Sequence, residues 1–392
     1  MRRICFLAFG IKGIEAAGWR RTIHVFMNPE FELLQDGLHI RRELSRVIAG
    51  ATKSLCLMFY IFCNDKAGNA ILSELVAALQ RGVRVRIILD GFGSVLTPNR
   101  FFISLYQAGG QIHKFNTHWH PRYLFRNHQK FVIADGQIAL TGGFNIADQY
   151  FGDGIETGWR DVGIRVDGPA VRELQDYFDV RWEAPTRHFR TLHRTRSHKK
   201  LPARDVEWLY SGPGLGRSRY SNQLKKDLVR ATRLSLMMGY FVPPVSLRRA
   251  IGKIARRGEV QLLLPALTDV PISRLAAWHT FSRLLRDGCE IYEYQPRPLH
   301  GKLIVLDDVV YVGSSNLDIR SLHLNFEMML RVRDAALAAQ ALKLIRNDIR
   351  LSVQITKEDY QRNMGLWQRI VRKASYMFLN RFDYIISSKF VE

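Results

Sequence analysis

His128-Gln129-Lys130-Phe131-Val132-Ile133-Ala134-Asp135 and His300-Gly301-Lys302-Leu303-Ile304-Val305-Leu306-Asp307 follow one pattern, His-x-Lys-x4-Asp, present twice in the chain. Gly142-Gly143-Phe144-Asn145 follows the first copy and Gly313-Ser314-Ser315-Asn316 the second. A single copy is a weak signal, because His, Lys and Asp are common on surfaces. Two copies, each followed by a glycine-rich turn and an Asn, point to a duplicated unit that carries chemistry. In both copies an apolar run follows the Lys, then a turn at Asp135-Gly136 or Asp307-Asp308. A second apolar run comes next, Ile138-Ala139-Leu140 or Val309-Val310-Tyr311-Val312. Asp-Gly between apolar runs is a strong hairpin signal.

The repeat extends outward from these motifs. Ala51-Thr52-Lys53-Ser54-Leu55 resembles Ala231-Thr232-Arg233-Leu234-Ser235, and each stretch follows an amphipathic segment, so each reads as a helix and then a buried strand. Arg81-Gly82-Val83 and Arg257-Gly258-Glu259 read as helix, C-terminal glycine, strand, as do Ala108-Gly109-Gly110 and Asp287-Gly288-Cys289. Alternating strands and helices imply an α/β sandwich in each half with a largely parallel core. The expected organisation is an N-terminal extension (1–22), a first half (23–186), a basic linker (187–205), a second half (206–355) and an amphipathic C-terminal tail (356–392). Between Ala184 and Arg204 the chain has seven Lys/Arg and no acid.

A His and a Lys two apart on a strand share a face. Two copies therefore supply two imidazoles and two ammoniums to one site between the halves, which suits phosphodiester exchange by double displacement. One His attacks phosphorus and the other protonates the leaving alcohol, then deprotonates the incoming one. Lys130, Lys302, Asn145 and Asn316 are expected to hold the nonbridging oxygens. Each His also needs a carboxylate to set its tautomer. Asp161, before Val162-Gly163-Ile164, is assigned to His128, and Glu327, before Met328-Met329-Leu330, to His300. The motif acids Asp135 and Asp307 complete the candidate catalytic set, with their main role expected in the turns.

Bulk properties narrow the partners. The 392 residues carry a net charge of +22, with 58 Lys/Arg against 36 Asp/Glu, which favours a polyanionic partner. Cys5, Cys56, Cys63 and Cys289 are scattered without a CxxC pair, so neither zinc nor a disulfide framework is expected. No cofactor is expected either, since the lysines supply the positive charge. No apolar run reaches transmembrane length. In the tail, Trp367, Ile370, Val371, Ala374 and Phe378 recur at helical spacing with Arg369, Arg372 and Lys373 on other faces. That pattern suits either a membrane interface or a helix packed on the core.

These residues resemble the phospholipase D superfamily, whose signature is His-x-Lys-x4-Asp followed by Gly-Ser-x-Asn. The resemblance spans about Glu32 to Val332. It implies two α/β halves related by a pseudo-twofold, one active site between them, and a phosphohistidine intermediate on the first-motif His, here His128, with His300 as acid/base. Asn316-Leu317-Asp318-Ile319-Arg320-Ser321-Leu322-His323-Leu324-Asn325-Phe326-Glu327 is similar to the run found in bacterial cardiolipin synthases of the short, peripheral type. Those enzymes move a phosphatidyl group from one phosphatidylglycerol to a second lipid hydroxyl. Gly143, in place of the usual Ser, departs from the pattern. The expectation is a monomer that binds anionic phospholipid at a membrane surface, on the cytoplasmic face of a bacterial inner membrane, and not a specific nucleic acid. Hydrolysis to phosphatidic acid, nuclease activity and a catalytically inert membrane binder are the competing readings.

Overall fold

The structure is a computed structural model that describes residues 30–115, 125–152, 158–183, 205–213, 218–362 and 365–382. The expected N-terminal extension, the basic segment 184–204 and the end of the expected C-terminal tail (383–392) lie outside these residues. The first half runs β1 (Glu30–Leu34), α1 (Gly37–Gly50), β2 (Ser54–Phe59), α2 (Lys66–Gln80), β3 (Arg84–Asp90), α3 (Ile103–Gln107) and β4 (Gln111–Phe115). It continues through β5 (Phe131–Ala134), β6 (Ile138–Gly142), α4 (Asp148–Phe151), β7 (Gly163–Asp167) and α5 (Ala170–Glu183). The second half repeats the plan with β8 (Val206–Ser211), α6 (Arg219–Arg230), β9 (Arg233–Met238), α7 (Val245–Ala255), β10 (Glu259–Pro265), α8 (Pro271–Asp287) and β11 (Glu290–Tyr294). Then come β12 (Lys302–Leu306), β13 (Val309–Gly313), α9 (Ile319–His323), β14 (Glu327–Arg333), α10 (Ala335–Ile349) and β15 (Ser352–Gln354). Helices α11 (Lys357–Arg362) and α12 (Leu366–Met377) follow.

The duplication is visible in the strand order. One sheet reads β1-β7-β6-β5-β2-β3-β4 and the other β8-β14-β13-β12-β9-β10-β11, with β15 added at its edge. In each, three parallel strands (β2-β3-β4 and β9-β10-β11) adjoin the antiparallel hairpin that carries the motif. The fold is therefore mixed α/β in two matching halves, as the alternation of elements implies.

Side-chain alternation sorts the core into layers. On β2, Leu55, Leu57 and Phe59 face the outer helices α1 and α2, while Cys56 and Met58 face inward. On β12, Ile304 and Leu306 join the outer cluster of the second half, and Leu303 and Val305 face inward. The inward faces of both sheets share one buried cluster, which α5 and α10 complete through Leu174, Phe178, Ala341 and Ile345. At about 1.5–3 kcal/mol for each fully buried aliphatic side chain, this shared layer holds the two halves in one body.

Each motif Asp sits at the turn end of its strand. Asp135 (φ 55°) and Asp307 (φ 52°) both adopt the left-handed conformation. The Asp135 carboxylate accepts the amides of Thr52 (2.9 Å), Lys53 (2.8 Å) and Ser54 (2.8 Å) and the Thr52 hydroxyl (2.9 Å). Asp307 takes the matching groups of Thr232 and Arg233. Strand β5 separates Asp135 from Lys130, and at ~3.3 Å per residue that places the carboxylate more than about 13 Å from the ammonium. The place of Asp135 and Asp307 in the candidate catalytic set is thus corrected. They staple the entry of β2 and β9 to the hairpins. The hairpins differ in length: Ala134 pairs with Ile138 across three residues, and Leu306 with Val309 across two.

We expect Asp135→Ala to cost about 1–3 kcal/mol of stability, because the Thr52, Lys53 and Ser54 amides lose their acceptor and Ala tolerates the left-handed region less well than Asp. Denaturant midpoints check this, and the folded fraction is expected to keep its turnover.

Candidate active site between the halves

Both motif imidazoles lie where one half meets the other. Isolated parallel bridges join Asn127 to Phe326 and Arg160 to Leu299. The His128 amide donates to the Phe326 carbonyl (2.9 Å), and the His300 amide to the Arg160 carbonyl (2.8 Å). These bridges decide which carboxylate meets which His, and the sequence assignment is reversed. His128 Nδ1 lies 2.9 and 3.0 Å from the two Glu327 oxygens. His300 Nδ1 lies 2.7 Å from Asp161 Oδ2. Asp161 and Glu327 each follow the segment that bridges to the opposite half, so each reaches the other half's imidazole.

Lys130 and Lys302 are fully buried. Lys130 Nζ donates to the His128 carbonyl at 2.7 Å, and Lys302 Nζ lies 2.5 Å from the His300 carbonyl and 2.8 Å from His300 Nε2. Burial, strengthened by repulsion from the other ammonium, lowers Lys130 to about 7. Burial lowers Lys302 to about 8. The same desolvation, with Lys302 next in weight, pulls His300 down to about 4. His128 falls well below the usual imidazole range, through burial and then the two lysines.

The carboxylates diverge. Burial pushes Glu327 up to about 8, against the pull of Lys130 and the Ser314 hydroxyl. Asp161 is held below its ordinary range: burial works upward, but His300, Lys302 and the Val162 amide outweigh it. Ser314 Oγ donates to Glu327 Oε2 at 2.5 Å. The first half has Gly143 there, and a Cβ on it would stand 2.4 Å from Asp161 Oδ1. The departure from Gly-Ser therefore has a steric cause: the Asp161 carboxylate fills the space of the missing side chain.

The two asparagines differ as well. Asn145 is committed within the protein: Oδ1 accepts the Ile61 amide (3.1 Å) and Nδ2 donates to Tyr150 (2.8 Å). Its expected hold on nonbridging oxygens gives way to a supporting position. Tyr150 in turn stands edge-on to His300, with 5.3 Å between rings. Asn316 is buried, and its Oδ1 has no hydrogen-bond partner among the described residues.

Sequence reasoning missed Tyr60 and Tyr240. The Tyr60 ring meets His128 edge-on at 5.1 Å and lies 5.5 Å from Lys130 Nζ. Tyr240 lies 6.1 Å from the His300 ring and 6.0 Å from Lys302 Nζ. Each ring presents a π-face to a buried ammonium. The signal was present, because Tyr60 and Tyr240 follow Thr52 and Thr232 at one spacing in the repeat. Trp159 lies 5.3 Å from His300.

Two paired imidazoles and two desolvated ammoniums inside a duplicated α/β body define a phosphodiester-handling site of phospholipase D type. The sequence model of the family described as "Cardiolipin synthase, PLD-like domain" matches residues 44–182 and 224–349. "Cardiolipin synthase 1" of Staphylococcus aureus (strain COL) is 32% identical over 344 residues, covering 85% of this chain and 70% of that protein. "Major cardiolipin synthase ClsA" of Bacillus subtilis (strain 168) is 32% identical over 356 residues, covering 88% and 73%. Among solved structures, the phosphatidylserine synthase of Haemophilus influenzae Rd KW20 superimposes with a TM-score of 0.71 at 15% identity, covering 91% of this chain and 94% of that one; it speaks for the fold. The chain belongs to the PLD-like cardiolipin synthase family.

The lysine shifts give a test. An unfolded Lys keeps its proton to 10.5, whereas Lys130 in the fold releases it near about 7. Over that interval the unfolded chain holds more protons, so stability rises with pH. We expect Lys130→Met to flatten that rise and to increase the melting temperature at pH 7, while turnover falls by about 10² or more. Thermal melts from pH 6 to 10 beside initial rates check both.

Proposed function

We propose that the chain is a phosphatidyltransferase that makes cardiolipin from two phosphatidylglycerol molecules, with His128 as nucleophile and His300 as acid/base. The observation that carries the division of roles is the unequal pair of carboxylates. An acid must hold its proton when the leaving group departs. Burial and Lys302 hold His300 at about 4, so its protonation depends on the ionised partner together with the bound phosphodiester anion. Asp161 is the ionised one. Glu327 carries less negative charge because burial favours its proton, which suits a neutral His128 with a free Nε2 lone pair.

In the first step His128 Nε2 attacks the phosphorus of the donor lipid. The bond from phosphorus to the glycerol headgroup breaks, and His300 gives its proton to the departing glycerol oxygen. In the second step the hydroxyl of another phosphatidylglycerol gives its proton to His300. Its oxygen attacks phosphorus, the phosphorus–nitrogen bond breaks, and His128 is regenerated. Lys130 and Lys302 face the nonbridging oxygens, and a bound phosphodiester anion supplies the counter-charge that burial denies both. The unpartnered Asn316 Oδ1 is suited to accept a hydrogen bond from a glycerol hydroxyl. Catalysis at the surface of an anionic membrane, on the cytoplasmic side, agrees with the +22 charge. Among the described residues no helix is long and apolar enough to cross a membrane.

Lipid analysis of phosphatidylglycerol vesicles incubated with the protein tests this. We expect cardiolipin and free glycerol from the wild type, and a loss of about 10³-fold or more in His128→Ala. Phosphatidic acid as the sole product would identify a hydrolase instead, and vesicles bound without any lipid product would overturn the lipid reading.

A further inference from the structure

The loop after β3 is inverted relative to ordinary surface loops. Its polar side chains turn inward. Asp90 accepts the amides of Phe92 (2.9 Å), Gly93 (2.9 Å) and Asn127 (2.7 Å). Ser94 Oγ donates to the Tyr60 carbonyl, and Thr97 Oγ1 to that of Phe62. All three polar residues are buried, while Val95 is 63% and Leu96 92% exposed. The loop is thus held rigidly with an apolar tip in water. Its anchors, Asn127 and Tyr60, adjoin and touch His128, so the tip rises from the rim of the site.

The second half also exposes apolar side chains at this place. After β10, Leu267 and Val270 are exposed, beside an exposed Asp269 that accepts the Tyr240 hydroxyl (2.5 Å). Parallel strands β3 and β10 both end on the side from which β5 and β12 start, so both tips flank the same opening.

A third apolar element joins them. Helix α12 packs on α8 through Tyr376, whose hydroxyl donates to the Pro243 carbonyl at 3.1 Å, and through Arg372, whose guanidinium lies 4.3 Å from the Trp278 ring. Pro243 lies three residues past Tyr240, so the end of α12 is tied to the rim. The helix nevertheless leaves Leu366 78%, Trp367 72% and Ile370 52% exposed, and Phe378 continues the apolar surface. It carries Arg369, Arg372 and Lys373 and no acid. One face of α12 thus packs on the core, as one reading of its sequence had it, and the other leaves apolar side chains exposed.

We infer that these three elements form one docking surface for a bilayer of anionic phospholipid, with the Val95–Leu96 tip and the Trp367–Ile370 face entering the acyl region around the site opening. This deepens the lipid reading and rests on it. Two features select a bilayer over another occupant. The Val95–Leu96 tip stands beside the opening through which a lipid headgroup must pass, and α12, whose C-terminal end is tied to the same rim through Tyr376, has only positive charge, as interfacial helices on anionic membranes do.

The test uses the full chain with phosphatidylglycerol and phosphatidylcholine vesicles, comparing wild type, Val95→Ser/Leu96→Ser and Trp367→Ser/Ile370→Ser by sedimentation. All four positions are exposed, so melting temperatures are expected to hold. Each double variant is expected to lose about tenfold in partition onto phosphatidylglycerol vesicles. Turnover of a dispersed short-chain phosphatidylglycerol is expected to be retained. Unchanged partition in both variants overturns the inference. So does a wild-type dimer that the variants convert to monomer, which assigns the surface to a second copy, or a loss of duplex DNA binding with vesicle binding intact. If the variants lose vesicle binding but the wild type forms no lipid product, the docking surface stands and the transferase reading falls.

Discussion

Two buried contacts, Glu327 to His128 and Asp161 to His300, run from each half to the other, and the rest of the site is arranged around that crossing. Neither half on its own contains an imidazole beside its carboxylate. The halves must therefore meet in a fixed register, and backbone hydrogen bonds set it at Phe326–His128 and Arg160–His300. Arg160 adds a buried ion pair with Asp348 on α10 (2.8 Å). Such a pair gains little net stability, because desolvation offsets much of the attraction. Its position gives it a clearer purpose: it fixes the segment that presents Asp161 against the half that carries His300.

The crossing also concentrates ionisable groups where water is scarce. Lys130, Lys302, His128, His300 and Glu327 all shift toward their neutral forms, and burial is the leading cause in each. Asp161 alone shifts the other way. A site of this kind is costly to the fold and suited to an anion, since a phosphate between the ammoniums supplies the counter-charge their burial withholds. The aromatic rings of Tyr60 and Tyr240 offset part of the cost by facing the ammoniums.

Much of this was legible from residues alone, because the hairpin, the helix-glycine-strand steps and the two motifs all recur at matching places in the chain. Local signals carried that far: Asp135-Gly136 turned a hairpin, and the apolar runs from Leu55 and from Leu303 read as buried strands. The pairing of acids with imidazoles was not legible. Asp161 and Glu327 are each nearest in sequence to their own half's motif, and only the bridges at Arg160–Leu299 and Asn127–Phe326 send them across. The duty of Asn145 was hidden for a similar reason, since Ile61 and Tyr150 reach it only after the chain folds. Tyr60 and Tyr240 could have been found, because the repeat that aligns Thr52 with Thr232 aligns them too.

The duplication is a frame within which the two sites have diverged, and the divergence is coordinated. On one side a shorter acid, Asp161, folds back over Gly143, which has no side chain to obstruct it. On the other a longer acid, Glu327, reaches past that position and takes a hydrogen bond from the Ser314 hydroxyl. Exchanging only one member of either pair disturbs it: a Cβ at 143 meets the Asp161 carboxylate, and Gly at 314 removes the hydroxyl that Glu327 accepts. The acid and the small residue thus form a matched unit in each half. A symmetric pair of imidazoles would have no reason to divide a two-step reaction between them. In the proposed reaction the unequal carboxylates supply that reason, because Asp161 is held ionised beside His300 while burial draws Glu327 toward its neutral form beside His128.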